Sequence, residues 1–180
     1  RSNPFGQERA MLLNPLPLGW RYSLTNQPSQ PTYGNCPTKG SGKDSLVVVT
    51  HGWQPYPFAT DVTWVDGMSN NIKSYLTGYS LTNWQVNGYK WLSNAWTFFP
   101  THALSNAKEQ GKMLGDCIAT QGWLHVHLIG HSAGAGLIQI ASERVKNQST
   151  NTTIHCTFLD PYVGKHFEEV SQYGKGANWS

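Results

Sequence analysis

The chain has 180 residues, a length at which a single domain buries roughly 70% of the surface that its unfolded chain exposes. Charged residues make up only 13% of the sequence, and the 13 lysines and arginines are scattered rather than clustered, which excludes the basic stripe of a nucleic-acid-binding protein. No run approaches the ~20 consecutive apolar residues of a membrane-spanning helix, so no transmembrane segment is predicted.

Two regions of the chain differ in their patterns. Residues 1–44 hold most of the prolines and show no sustained hydrophobic period, which predicts an extended lead-in with a short edge strand near residues 20–25. Residues 45–180 alternate short apolar runs with longer amphipathic stretches, which is typical of β-α-β units with a mostly parallel sheet and helices on both faces. The apolar runs predict strands at 46–50, 86–92, 124–129 and 153–159.

The amphipathic stretches predict three helices between these strands. The first is expected to begin at an N-cap formed by Thr60 or Asp61, because short polar side chains accept hydrogen bonds from the first N–H groups of a helix. The other two are expected over residues 104–120 and 133–146. The glycines of the second helix are expected to let it approach the sheet closely.

A candidate nucleophile lies between the third predicted strand and its helix, in the sequence GHSAG at residues 130–134. In so tight a turn the residues two positions either side of Ser132 must lack bulky side chains, which explains Gly130 and Gly134. The hydroxyl is then exposed at the carboxyl edge of the sheet, where a helix N-terminus favours developing negative charge. The motif predicts a nucleophilic serine, and the alternative is that Ser132 only caps the helix.

Acyl transfer also needs hydrogen-bond donors directed at the oxyanion of the tetrahedral intermediate. The backbone N–H of Ala133, which follows the serine, is one candidate. The loop after the first strand reads THGW, and its glycine allows the N–H of Trp53 to face Ser132 as a second donor. For His51 in this loop, a structural role is favoured over proton transfer.

The predicted acid is Asp160, which ends the last strand and therefore emerges at the same carboxyl edge as Ser132. The alternative is that it only caps a turn before Pro161. The only later histidine is His166, six residues on in the same loop, whereas the base of this fold normally comes from a loop after a later strand. We therefore expect the base to lie outside this chain, in a continuation or in a second polypeptide fragment, rather than at His166.

Neither the other histidines nor the cysteines predict a cofactor site. His125 and His127 alternate on one strand and share a face, but no third ligand is near in sequence, so a structural role is favoured over a metal site. The three cysteines, Cys36, Cys117 and Cys156, are compatible with buried thiols, with one disulfide plus a free thiol, or with bonds to a missing piece.

Three segments together resemble the pancreatic-type lipase family of the α/β-hydrolases. They are VTHGW at 49–53, HLIGHSAGA at 127–135 and FLDP at 158–161, in a similar order and spacing. The likeness covers residues 46–163. It implies the front portion of an α/β-hydrolase domain and a carboxylic ester hydrolase with Ser132 as nucleophile, Asp160 as acid, Trp53 and Ala133 as oxyanion donors, and no metal. The sequence departs from the family in lacking the histidine segment, the lid and the C-terminal lipid-contacting domain.

The expected substrate is an ester or lipid bound through its acyl chain. Aromatic residues near the carboxyl edge are expected to line an acyl cleft, with ordinary loop packing as the alternative; they are Tyr56, Phe58, Trp96, Phe98 and Phe99. A peptidase would use the same triad. The alternative from another class is a catalytically silent lipase-like protein that binds a lipid or another ligand.

The composition also bears on localisation. Few charged residues and many polar neutral ones favour a secreted protein. Asn147, Asn151 and Asn178 each begin an N-x-S/T triplet, the acceptor pattern for N-glycosylation in a eukaryotic secretory pathway.

Overall fold

The computed structural model describes residues 34–58, 61–163 and 173–180, and these contain six strands and four helices. The strands are β1 (Ser45–Thr50), β2 (Gln54–Pro55), β3 (Trp84–Tyr89), β4 (Trp96–Thr97), β5 (His125–His131) and β6 (Thr153–Leu159). The helices are α1 (Thr63–Gly78), α2 (Leu92–Ala95), α3 (Pro100–Ala119) and α4 (Ala133–Gln148).

The central sheet has four strands in the order β3-β1-β5-β6, and every neighbouring pair is parallel. Strand β1 is buried along its whole length, which explains its unbroken apolar sequence. The predicted α/β fold with a mostly parallel sheet flanked by helices is therefore confirmed. Because all strands run the same way, their carboxyl ends meet at one edge of the sheet.

Each face of the sheet has its own hydrophobic cluster. On one face, Leu46 and Val48 pack with residues of α3 and α4, such as Leu114 and Leu137. On the other face, Val47 and Val49 pack with Ile129 and with residues of α1. Helices thus cover both faces, as the alternation of side chains along β1 requires.

Two predicted element boundaries were wrong. The second strand was expected to reach residue 92, but β3 ends at Tyr89, in register with the end of β1 at Thr50. Trp91 is fully buried and its backbone N–H donates to the His51 ring, so it leaves the sheet and precedes α2. Helix α3 begins at Pro100, one turn earlier than predicted, because proline in the first turn loses no helical hydrogen bond.

Two further expectations about the helices need correction. Helix α1 begins at Thr63 with Val62 as its N-cap; Asp61 precedes the cap and accepts a hydrogen bond from the Thr63 N–H, while Thr60 lies outside the described residues. The glycines of α3 face α4 rather than the sheet. A Cβ at Gly111 would lie 2.4 Å from the carbonyl oxygen of Leu137 in α4.

The segment from Gly34 to Lys43 is attached to the domain. A disulfide joins Cys36 to Cys117 in α3, with 6.2 Å between their Cα atoms, and Cys156 is a buried free cysteine, which resolves the pairing that the sequence left open. The Lys39 ammonium group lies over the Trp123 ring, 5.2 Å from its centre. The edge strand predicted near residues 20–25 lies outside the described residues.

In the part of the chain that the structure describes, no helix has both the length and the apolar character needed to cross a membrane.

Candidate active site

Ser132 occupies a single-residue turn between β5 and α4, and its backbone is in the left-handed region (φ 52°, ψ −122°). Such a φ is uncommon for a residue with a side chain, and strain of this kind persists only where the surroundings impose it. Ser132 is the residue before the first turn of α4, but its side chain makes no capping hydrogen bond. The capping alternative therefore does not account for this serine.

The surroundings that impose the turn are three glycines. A Cβ at Gly130 would lie 2.5 Å from the Gly134 carbonyl oxygen, and a Cβ at Gly134 would lie 2.4 Å from the His51 carbonyl oxygen. A Cβ at Gly52 would lie 2.6 Å from the Ser132 Cβ. All three contacts are too short for any side chain, so the β1 loop and the serine turn are packed backbone against backbone.

Asp160 directly follows β6 and lies beside the serine turn. The Ser132 N–H donates to the Leu159 carbonyl oxygen at 3.0 Å, and the Tyr162 N–H donates to the Ser132 carbonyl oxygen at 3.2 Å. Both neighbours of the Asp160-Pro161 pair thus hold the backbone of Ser132. Asp160 is exposed and also has a left-handed backbone (φ 43°). The structure therefore brings the predicted nucleophile and the predicted acid to the same edge.

The two predicted oxyanion donors come from the elements that meet at this turn. Ala133 is the first residue of α4, so its N–H has no acceptor within the helix. The same hypothetical Cβ at Gly52 would lie 3.0 Å from the Ala133 nitrogen, which places the backbone before Trp53 next to Ala133. The Trp53 indole N–H donates to the Thr97 carbonyl oxygen at 2.9 Å and orients this loop.

His51 anchors the same loop from inside the protein. Its side chain is fully buried; Nδ1 donates to the Gly52 carbonyl oxygen at 2.9 Å, and Nε2 accepts the Trp91 N–H at 3.1 Å. The Trp91 indole also donates to the His51 carbonyl oxygen, and the two rings stack. Burial lowers the pKa of His51 to about 4, so the ring is neutral at pH 7. Both nitrogens are engaged, which favours the structural role predicted for this residue.

The other described histidines contact groups other than Ser132 and Asp160. His127 bonds Thr157 at 2.9 Å and stacks on His155, while His125 stacks on Trp84 and the His131 ring meets Trp64 edge-on. Burial, with a smaller effect of the neighbouring His155 charge, lowers the pKa of His127 to about 4. His166 lies outside the described residues.

No group of three or more histidine, cysteine or acidic side chains among the residues that the structure describes could hold a metal ion. His125 and His127 share a face of β5 as predicted. His127 instead pairs with His155, its register partner on β6.

Three of the five predicted cleft residues form one aromatic cluster. Tyr56 is buried, and its ring centre is 4.8 Å from Trp96 and 4.3 Å from Phe98. Strands β2 and β4 pair here, and the Tyr56 N–H donates to the Thr97 carbonyl oxygen. Phe98 is 52% exposed, so one side of this cluster is open to solvent. Tyr56 lies beneath the other rings and supports them rather than lining an open surface.

The remaining two predicted cleft residues are exposed. Phe58 is 68% exposed and Phe99 is 50% exposed, and the Phe99 ring contacts His102 edge-on. We call the set Tyr56, Phe58, Trp96, Phe98 and Phe99 the aromatic rim. The Trp53-Thr97 hydrogen bond connects the rim to the loop that packs on Ser132.

Two residues that position the site could not be predicted from the sequence. Trp91 fixes the β1 loop through both its N–H groups, and Tyr162 bonds the backbone of Ser132. An isolated tryptophan at a strand end and a tyrosine after Asp-Pro carry no local signal of these contacts, because each partner is distant in sequence.

No family model, curated protein or solved structure matches this chain.

Proposed function

We propose that this chain carries the nucleophile of a secreted serine ester hydrolase of the α/β-hydrolase type, similar to the pancreatic-type lipases. The observation that carries the proposal is the left-handed Ser132 between β5 and α4, enclosed by three glycine contacts. A serine without a catalytic role would not need a backbone conformation that requires glycine at three positions around it in space, Gly52, Gly130 and Gly134.

In this mechanism the Ser132 hydroxyl attacks the ester carbonyl while a histidine accepts its proton. The alkoxide leaving group then takes a proton from that histidine, and water releases the acyl group from Ser132. The N–H groups of Ala133 and Trp53 stabilise the tetrahedral oxyanion, each donor contributing about two to three orders of magnitude in rate. The α4 N-terminus adds a favourable field.

Asp160 orients the histidine and stabilises its charged form. The pairing of Leu159 and Tyr162 with the Ser132 backbone supports this assignment, because it fixes the acid relative to the nucleophile. The base is a histidine outside the described residues, supplied by a further segment of the protein or by a second polypeptide. His51 is not the base in this proposal, since both its ring nitrogens are already engaged.

The aromatic rim supports an apolar acyl group as the part of the substrate that is recognised. Three large rings of the rim, Phe58, Phe98 and Phe99, are at least half exposed, and the Trp53-Thr97 hydrogen bond connects the rim to the loop that contacts Ser132. Burying such rings against an acyl chain contributes roughly 25 cal/mol of binding free energy for each Å² of apolar surface removed from water. Esters with longer acyl chains should therefore be preferred over acetyl esters.

Ester hydrolysis by the full-length protein tests the proposal. We expect turnover of p-nitrophenyl esters that rises with acyl length and exceeds that of the matching p-nitroanilides. In Ser132→Ala the rate falls by at least about three orders of magnitude, because the nucleophile of a triad carries most of the rate enhancement. Ser80→Ala is the matched control, since Ser80 is exposed and is also left-handed (φ 58°).

Other outcomes assign other functions. Faster cleavage of the anilides would replace the esterase with a peptidase that uses the same residues. No turnover, together with saturable binding of a fatty acid, would support the catalytically silent lipid-binding protein. That alternative is favoured by one observation, namely that the contacts of the described histidines are with groups other than Ser132 and Asp160.

A further inference from the structure

The turn between α4 and β6 presents an asparagine in an ordered, exposed position. The Ser149 N–H donates to the Val145 carbonyl oxygen at 2.8 Å, which closes the helix, and the hydroxyls of Ser149 and Thr152 are 2.7 Å apart. Thr152 also donates to the Trp123 carbonyl oxygen. These bonds hold both sides of Asn151, which is itself exposed. The acceptor triplet that it begins ends at Thr153, the first residue of β6.

The structure distinguishes this triplet from the two others. Asn147 lies in the last turn of α4, and the hydroxyl that its triplet supplies, on Ser149, is bonded to Thr152. The Asn178 side-chain oxygen accepts the Ile154 N–H at 2.8 Å, and the Asn178 N–H donates to the Ile154 carbonyl oxygen at 2.7 Å, so its amide lies against β6. Of the three asparagines, Asn151 is the one that is exposed, lies outside a helix and makes no side-chain hydrogen bond to the residues that the structure describes.

The position of Asn151 also leaves the candidate active site free. Asn151 precedes β6, whereas Asp160 follows it, and the seven residues of β6 separate them. At 3.3 Å per residue this separation is roughly 20 Å. A large group on Asn151 would therefore project from the amino edge of the sheet, opposite the edge that holds Ser132.

We propose that Asn151 carries an N-linked glycan. In this reaction an oligosaccharyltransferase joins the Asn151 side-chain nitrogen to the anomeric carbon of a lipid-diphosphate-linked oligosaccharide. The new C–N bond replaces the C–O bond to the diphosphate, which leaves with the lipid, and the amide nitrogen loses one proton. The Cys36–Cys117 disulfide is an independent indication of the oxidising, secretory compartment where this transfer occurs.

The test is intact mass of the full chain secreted from a eukaryotic host, measured before and after treatment with peptide N-glycosidase F. We expect one glycan, which disappears in Asn151→Gln and persists in Asn147→Gln and Asn178→Gln. Thr153→Ala should also remove it, and Thr153→Ser should retain it, because serine at the third position of the triplet is also accepted.

A secreted chain whose mass does not change on treatment would overturn the proposal, as would a glycan that survives in Asn151→Gln. Each secreted variant is also examined by circular dichroism, which shows whether it is folded, so that loss of the glycan is not confused with loss of folding. The readout is mass, which makes the result independent of whether Ser132 hydrolyses esters. Ester turnover, where present, should be the same in Asn151→Gln as in the unaltered chain.

Discussion

The serine turn and the aromatic rim are linked through the β1 loop but are built in opposite ways. The turn is fixed by contacts between backbones, at Gly52, Gly130 and Gly134, where no side chain fits. The rim is formed by side chains, and its outer rings are at least half exposed. A reacting centre requires atoms held to within about half an ångström, whereas an apolar binding surface tolerates variation in shape. The rigid serine turn is therefore suited to the chemical step, and the exposed aromatic rim is suited to binding the substrate.

Among changes that leave Ser132 itself in place, adding one methyl group to the turn should have the greatest effect. Gly52→Ala would place a Cβ 2.6 Å from the Ser132 Cβ and 2.7 Å from the His131 carbonyl oxygen. We expect ester hydrolysis to fall by about a hundredfold, since small displacements of a reacting group cost that much. The free energy of unfolding should fall by about 2–3 kcal/mol from overpacking.

The control for this change is Gly67→Ala. Gly67 lies within α1 and a Cβ there would meet nothing within 4 Å. Alanine should stabilise the helix by roughly 0.5–1 kcal/mol and leave hydrolysis unchanged. Equal activity in the two alanine variants would mean that the close contact at Gly52 is not needed for the site.

A pH titration of stability tests how the loop behind the turn is anchored. The folded chain keeps His51 neutral down to pH about 4, while the unfolded chain protonates it below its ordinary pKa of 6.5. Between pH 6.5 and about 4 the unfolded chain therefore binds more protons than the folded chain. The contribution of His51 to the free energy of unfolding is fully present above pH 6.5 and is lost as the pH falls to about 4. The loss is on the order of 3 kcal/mol.

Urea unfolding at pH 7 and at pH 4.5 measures this loss, and His51→Gln isolates the part due to His51. The variant should be less stable at pH 7, because the Trp91 N–H loses a buried acceptor, but its stability should depend less on pH. His127 shifts in the same direction and remains in both proteins, so it cancels in the comparison. An identical pH dependence in the two proteins would contradict the account of His51.

The smallest expected effects are in the rim. Phe58→Ala and Phe98→Ala should change the free energy of unfolding by less than about 1 kcal/mol, because both rings are already exposed. The KM for long-chain esters should rise a few-fold while kcat stays unchanged, since the rim is expected to bind ground state and transition state equally. Tyr79→Ala, at an aromatic residue that is 66% exposed beyond α1, is the control. A fall in kcat without a change in KM would place the rim in the reacting centre.

The fold was largely predictable because its signals are local. The apolar run of β1 and the glycine-serine turn before α4 each specify their structure within a few residues. The helices on both faces follow from right-handed parallel connections. The strand order β3-β1-β5-β6 was not predicted, because it depends on contacts between strands distant in the chain. The same signals placed Ser132 and Asp160 at one edge, where the structure has them.

What the sequence did not predict depends on partners distant in the chain. Strand β3 ends early because Trp91 bonds His51, forty residues before it. The Gly111 contact with Leu137 depends on how α3 lies on α4, and the disulfide depends on where residue 36 meets α3. No local pattern encodes such contacts.

The most direct test of the central claim is the intact mass of the protein after reaction with a fluorophosphonate probe, under denaturing and native conditions. We expect one probe per chain, on the peptide that contains Ser132, no probe in Ser132→Ala, and full labelling in Ser80→Ala. A histidine-bearing second polypeptide should accompany the labelled chain in the native mass if the protein is nicked. A folded, full-length protein that takes up no probe, or takes it up equally in Ser132→Ala, would contradict the assignment of Ser132 as the nucleophile.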